Sequence, residues 1–153
     1  MAVWSRYPLD ENERQATINR TVDTWIETPD GPLRMLGVHP PTPVFDFAGW
    51  TREIDQITDD VSMLSEPTLV IGDFNASYWH PSFRRLLDQG LVDAHMTHGA
   101  GWTASWPTDE LFPPFVRLDH ALTSSELVSV DVHDFEVPGS DHAGFVVTVV
   151  PAA

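Results

Sequence analysis

Cysteine is absent from this sequence, and so is any long apolar run. Without cysteine the chain has no thiol nucleophile and cannot form a Cys-ligated zinc site. No apolar stretch is long enough to span a bilayer, and the first residues, MAVWSRYPLD, lack the basic and then apolar order of a signal peptide. These absences argue against stable membrane insertion of this chain. They leave its location open, either cytoplasmic or as the soluble domain of a longer membrane-anchored or exported protein.

Positive charge is also scarce, since 8 arginines stand against 23 acidic residues and the formal net charge is -15. A surface this acidic repels polyanions, so nucleic acid is a less favoured partner. The plainer interpretation of the charge is solubility. The functional one is that a cluster of carboxylates recruits cations.

The length of 153 residues, 42% of them hydrophobic, is enough for one domain over residues 1–153 with a sizeable core. Apolar residues at every third or fourth position predict a helix over Trp50–Leu64, and a shorter helix is predicted over Pro81–Gln89. Strands are predicted at Leu33–His39, Thr68–Ile71, Trp102–Trp106, Leu118–Thr123, Val128–Val137 and Phe145–Val150. Early helices between strands, followed by a run of strands, favour a layered α/β or α+β sandwich.

Polar groups recur where predicted strands end. The places are Val38-His39-Pro40, Gly72-Asp73-Phe74-Asn75, Arg117-Leu118-Asp119-His120 and Gly139-Ser140-Asp141-His142. Each also has a structural interpretation on its own. Asp73 could close a turn onto Asn75, and Asp119 could be a buried partner of Arg117.

Taken together, these places predict a catalytic crevice, because strands of one sheet end at a common edge. Carboxylate and carboxamide oxygens there suit Mg²⁺ or Mn²⁺ rather than a soft metal. A carboxylate beside a histidine gives an oriented base, and a second histidine can donate to a phosphoryl oxygen. A weaker alternative is a zinc site formed by His39, His120 and Asp141.

The ordered set of motifs resembles the endonuclease/exonuclease/phosphatase superfamily, with its DNase I-like fold. The motifs are SRYP, GVHPPTP, IGDFNA, RLDHAL and SDHAGFVVTV, in the family's order over nearly the whole chain. The resemblance implies a divalent-metal-dependent phosphoester hydrolase using Mg²⁺ or Mn²⁺. It assigns the metal to Asp73, Asn75 and Asp141, and catalysis to His39, Asp73, Asn75, Asp119 and His142, with Asp119 as the carboxylate that orients His142. Tyr78, Trp79, His80 and Arg84 fall where the family's substrate-facing loops lie.

The family's first strands, with an asparagine and a metal-binding glutamate, come before the SRYP-like element, so the resemblance implies a chain that begins partway through the fold. Glu11 and Glu13 follow that element in a polar stretch, and Glu27 precedes a turn. We therefore expect weak or absent activity from this chain alone, with oligomerisation through the incomplete sheet as one response. The alternative function is a non-catalytic or degenerate relative that acts as a binding or assembly module. The resemblance leaves the substrate open among DNA, RNA, inositol phosphates, lipids and small phosphoesters.

Overall fold

The computed structural model describes residues 1–11 and 21–153. Within these residues the chain forms eight strands and three helices. In chain order they are β1 (Leu9–Glu11), β2 (Thr21–Thr28), β3 (Gly31–Val38), α1 (Phe47–Ser62), β4 (Thr68–Asp73), α2 (Pro81–Leu87), β5 (Val92–Asp93), α3 (Ala94–Thr97), β6 (Asp119–Thr123), β7 (Leu127–Phe135) and β8 (Gly144–Pro151).

The strands form two sheets. A six-stranded sheet has the order β1-β2-β3-β4-β6-β5, and β7 pairs with β8 in a second sheet. Strands β3 and β4 are parallel, with α1 as the crossover between them, while the other pairings are antiparallel. Because β3 and β4 are parallel, His39 and Asp73 emerge from the same edge of the sheet.

Helix α1 covers one face of the six-stranded sheet. It begins after Asp46, whose carboxylate accepts a hydrogen bond from the Gly49 amide at 2.8 Å and caps the first turn. Its buried apolar positions, Trp50, Ile54 and Ile57, recur at helical spacing and pack into the larger core. The helix predicted from this periodicity is confirmed.

The opposite face of the sheet packs against β7 and β8. Alternation along β4 sends Val70 into the core under α1, and Leu69 and Ile71 into the cluster between the two sheets. From β8, Phe145 and Val147 join that second cluster. The order is thus helix, sheet, sheet, which confirms the predicted layered α/β class with a DNase I-like arrangement.

Some local predictions are wrong. Residues Trp102–Trp106 form no strand and contribute a single bridge between Trp106 and Val116, because Pro107 has no amide hydrogen with which to continue a ladder. The SRYP segment, which the resemblance to the family predicts as an early strand, instead bends at Arg6 and Tyr7. The Ser5 hydroxyl accepts a hydrogen bond from the Tyr7 amide there, and β1 begins only at Leu9.

Among the early acidic residues, Glu27 precedes a turn as expected, whereas Glu11 lies in a strand and not in an irregular polar stretch. Glu11 ends β1 and Glu27 lies in β2, whereas Glu13 lies outside the described residues. Glu27 pairs with Pro32, at the end of the β2–β3 hairpin opposite to His39. Glu27 therefore lies at the opposite end of β2 and β3 from the strand end that carries His39.

In the part of the chain that the structure describes, no helix combines the length and apolarity needed to cross a membrane.

Candidate active site

Gly72 sets how closely β4 approaches β3. Its φ of 145° is one that residues with a side chain rarely adopt. A Cβ at this position would lie 2.1 Å from the backbone oxygen of Val38. The close approach brings the end of β4 against the end of β3, so that Asp73 emerges beside His39.

Asp73 both closes a turn and faces the crevice. Its Oδ1 accepts a 2.7 Å bond from the Asn75 amide, and Asn75 has a left-handed φ of 48°. The side-chain amide of Asn75 donates to the Pro40 carbonyl at 3.1 Å and to Oδ2 of Asp73 at 3.3 Å. The turn thus fixes the carboxylate and joins the two strand ends. Phe74, between them, is fully buried in the core.

His39 lies at the rim of the crevice. Its Nε2 is 3.5 Å from Oδ2 of Asp73, and its side chain is 52% exposed. A half-exposed imidazole beside a fixed carboxylate is free to meet a ligand entering from solvent.

Asp119 and His142 form a close pair on the other side of Asp73. Register places Asp119 directly opposite Asp73, and its Oδ2 lies 2.8 Å from Nδ1 of His142. The hydroxyl of Ser140 accepts the His142 amide, which holds the loop before β8. The hydrogen bond with Asp119 raises the pKa of His142 above its ordinary value, although burial opposes this.

The interpretation of Asp119 as the partner of Arg117 is wrong. The Arg117 guanidinium instead binds the carboxylate of Asp134 and the hydroxyl of Thr103, and it reaches only the backbone oxygen of Asp119. The Asp119 carboxylate is thereby left for His142.

The side chains of Asp73, Asp119 and His142 meet at one point, with one ligand atom from each lying within 4.8 Å of the others. Burial raises the pKa of Asp73, and the negative charge of Asp119 raises it further. A cation placed between these two largely buried carboxylates would offset both effects. The residues present therefore fit a hard divalent metal.

Asp141 lies outside this cluster. It is exposed, and its Oδ2 accepts a hydrogen bond from the indole nitrogen of Trp106 at 3.2 Å. Its role as a metal ligand stays a prediction.

The structure contradicts the alternative zinc site. His120 is fully buried, with Nδ1 at 2.7 Å from Asp93 and Nε2 at 3.0 Å from the Ala76 carbonyl. Alternation along β6 points His120 into the core and Asp119 toward the crevice. Because both ring nitrogens are engaged, His120 cannot join His39 and Asp141 on a metal.

The residues after the GDFN segment divide between structural and exposed roles. Tyr78 packs against Phe83, and burial raises its pKa. The His80 ring receives the Ser77 amide and packs on Trp50. Trp79, in contrast, is 72% exposed and free to meet a ligand.

Trp106 is a site residue that the sequence did not reveal. Its ring lies 6.5 Å from that of His142, centroid to centroid, and its indole nitrogen binds Asp141. The only sequence signal was the Trp-Pro pair at positions 106 and 107, which marks a chain turn and not a strand.

Solved structures of known proteins resemble this fold. TDP2 from D. rerio, complexed with single strand DNA product, superimposes with a TM-score of 0.69 at 14% identity over 85% of this chain and 61% of that chain. A mannosyl-6-phosphatase from Bacteroides thetaiotaomicron gives 0.62 at 14% identity, over 85% and 57%. A mutant beta toxin from Staphylococcus aureus with bound magnesium ions gives 0.54 at 17% identity, over 84% and 56%.

The chain thus spans between 56% and 61% of the length of these three proteins. A comparison with curated protein sequences gives no match. The family model described as "Endonuclease/Exonuclease/phosphatase family" matches residues 1–142, which is most of the chain. The chain belongs to the endonuclease/exonuclease/phosphatase family.

Proposed function

We propose that this chain carries the catalytic residues of a divalent-metal-dependent phosphoester hydrolase, with residues 1–153 acting as one domain. The observation that carries the proposal is the meeting of Asp73, the Asp119–His142 pair and His39 at one edge of the sheet. Membership of a family whose name covers nucleases and phosphatases agrees with this reaction class. A phosphatase among the structural neighbours agrees as well.

The Asp119–His142 pair supplies the base in this proposal. With Nδ1 held at Asp119, Nε2 of His142 is the nitrogen left to take a proton from the attacking water. The carboxylate fixes the ring orientation and stabilises the imidazolium formed when the proton arrives. The raised pKa of His142 strengthens it as a base.

His39, at the rim, acts on the phosphoryl group. Its imidazole is exposed, and a ring N–H donates to an oxygen that gains negative charge as water attacks. Asp73, with its Oδ2 at 3.5 Å from Nε2, helps to orient the ring. Asn75 holds Asp73 in place through its backbone and side-chain amides.

A divalent cation would be held by the carboxylate oxygens of Asp73 and Asp119, with Asn75 and Asp141 as further predicted contacts. When bound, Mg²⁺ or Mn²⁺ supplies positive charge that polarises the phosphoryl oxygens and stabilises the negative charge that develops on the leaving group. The oxygen-rich donor set favours these hard cations. The neighbour with bound magnesium ions supports the same choice.

The test is hydrolysis of bis(4-nitrophenyl) phosphate and 4-nitrophenyl phosphate, with Mg²⁺, with Mn²⁺ and with EDTA. We expect slow, metal-dependent turnover of at least one ester that falls about 100-fold or more in Asp73→Asn and in His142→Asn. His133→Asn is the matched control, because His133 lies on β7 with its side chain 75% exposed. Turnover at the protein-free rate, or an equal rate in all variants, would contradict the proposal.

A further inference from the structure

A cavity of about 400 Å³ lies beside the candidate active site, in the size range of ligand pockets. Its lining is mainly apolar and aromatic and includes Trp79, Trp102, Phe115, Met96 and Arg84. We call the group formed by Trp79, Trp102, Phe115 and Arg84 the aromatic subsite.

The three aromatic rings of the subsite are open to solvent. Trp79 is 72% exposed, Trp102 84% and Phe115 65%, although burial would stabilise each of them. The indoles of Trp79 and Trp102 contact each other at 6.1 Å between centroids and together present one aromatic surface. Large apolar rings grouped around a cavity mark a place where a ligand or partner binds.

The subsite lies next to the catalytic groups. Trp79 lies in the loop that follows Asn75. On the other side of the cavity, the ring of Phe115 packs edge-on against that of Trp106, with 5.7 Å between centroids. Trp106 in turn lies 6.5 Å from the ring of His142. Trp106 and Phe115 thus connect the catalytic pair to the cavity through consecutive ring contacts.

Charge favours an anionic ester over an uncharged ligand. Nη1 of Arg84 donates to the carbonyls of Tyr78 and Trp79, which fixes the loop that carries Trp79. Among the described residues Arg84 has no carboxylate partner, whereas the charge of Arg117 is compensated by Asp134. A guanidinium beside exposed rings suits a planar group that carries phosphate.

We propose that the aromatic subsite binds a planar aromatic group attached to the phosphoester, such as a nucleobase, and so selects the substrate class. The inference rests on the proposed function, because the phosphate of that ligand would lie at the crevice. Base stacking on aromatic side chains accepts every base, so the subsite selects aromatic over aliphatic esters and does not select one base.

The first experiment measures binding without turnover. Adenosine 5′-monophosphate and ribose 5-phosphate are titrated separately, in EDTA, while the indole N–H signals are followed by NMR. We expect the nucleotide to shift the signals of Trp79 and Trp102 in a saturable way, and ribose 5-phosphate to leave them in place. Equal effects of the two compounds would overturn the inference.

The second arm uses variants that remove exposed rings. Trp102→Ala should weaken nucleotide binding about 5- to 150-fold, the range expected for loss of one stacking partner. Trp4→Ala is the matched control, since Trp4 is 88% exposed and does not line the cavity. Identical affinity in the two variants would overturn the inference.

Further probes identify the source of the aromatic group. If 4-nitrophenyl phosphate shifts the same signals as strongly as the nucleotide, the subsite accepts any aryl ester, which still supports the inference. Shifts produced by phosphatidylcholine vesicles, but not by the nucleotide, would overturn it in favour of a lipid surface.

Failure of this inference is distinguishable from failure of the proposed function. His142→Asn should lose turnover yet keep nucleotide binding at the indoles. Nucleotide binding without hydrolysis in the unmodified chain would support the subsite and contradict the proposed reaction. Hydrolysis with no preference for aromatic esters would support the proposed reaction and contradict the subsite.

Discussion

Replacing Asp119 with asparagine should show how strongly its carboxylate acts on the pKa of His142. The pair is close, at 2.8 Å, and the side chains of His142 and Asp119 are 23% and 13% exposed. Solvent therefore screens the interaction only in part. The substitution keeps the shape of the side chain and removes its charge.

The expected size follows from the kind of bond. A hydrogen bond to a charged group contributes roughly 1.5–3 kcal/mol, and one pKa unit corresponds to about 1.4 kcal/mol. The hydrogen bond with Asp119 is the first cause of the raised pKa of His142, so Asp119→Asn should lower that pKa and remove a stabilisation of about this size. Because the folded pKa is raised, the pair stabilises the fold fully below the unfolded pKa of about 6.5, and this contribution is lost as pH rises through the folded pKa.

NMR titration of the His142 ring protons measures the shift directly, and it needs neither metal nor substrate. Asp131→Asn is the matched control, because it removes one negative charge beside an exposed histidine on β7. The pKa of His142 should move far less in Asp131→Asn than in Asp119→Asn. Equal shifts in the two variants would mean that net charge, and not the bond with Asp119, raises the pKa of His142, and the reasoning would be refuted.

Three predictions concern stability. Gly72→Ala should lower the free energy of unfolding by about 2 kcal/mol or more in urea titrations, because its Cβ would clash with the backbone of β3. Asp93→Ala should cost about 3–5 kcal/mol in the same assay, since it leaves the buried ring of His120 without its carboxylate; a loss below 1 kcal/mol would contradict this. Burial lowers the pKa of His95, so its contribution to stability is complete above the unfolded pKa of about 6.5 and is lost as pH falls through the folded pKa. His95→Gln should therefore reduce the loss of unfolding free energy as pH falls below about 6.5. An unchanged dependence of the unfolding free energy on pH would contradict this role of His95.

Periodicity and strand-end chemistry predicted much of this molecule. Apolar spacing predicted α1, because Trp50, Ile54 and Ile57 had to face one core. The short apolar run ending in Gly72 and Asp73 predicted β4 and the turn after it. Both signals are local, and the tertiary structure did not override them.

Pairing across the molecule does not follow from periodicity. Only the family resemblance assigned Asp119 as the carboxylate that orients His142, and the structure has this pair at 2.8 Å. The sequence places Asp119 next to His120, and Asp141 next to His142, yet the structure pairs Asp119 with His142. Strand alternation explains this, since His120 points into the core and its partner there is Asp93. Neighbours in sequence on a strand face opposite ways, so only the sheet register decides which residues meet.

The strand β2 was missed for a related reason. Its segment, TVDTWIET, lacks period-two alternation, and its formation depends on the hairpin with β3. The reverse error occurred at Trp102–Trp106, where a strand was predicted but only the bridge from Trp106 to Val116 forms, since Pro107 cannot continue a ladder.

The central claim is that Asp73, Asp119 and His142 surround a divalent cation site, and Mn²⁺ broadening of NMR signals tests it most directly. Mn²⁺ titrated into the labelled chain should broaden the signals of these residues and of Asn75 first and saturably, and Asp73→Asn should remove the effect. The competing location is the acidic face of α1, with Asp55 and Asp59. Broadening that begins on that face, or that persists unchanged in Asp73→Asn, would contradict the account.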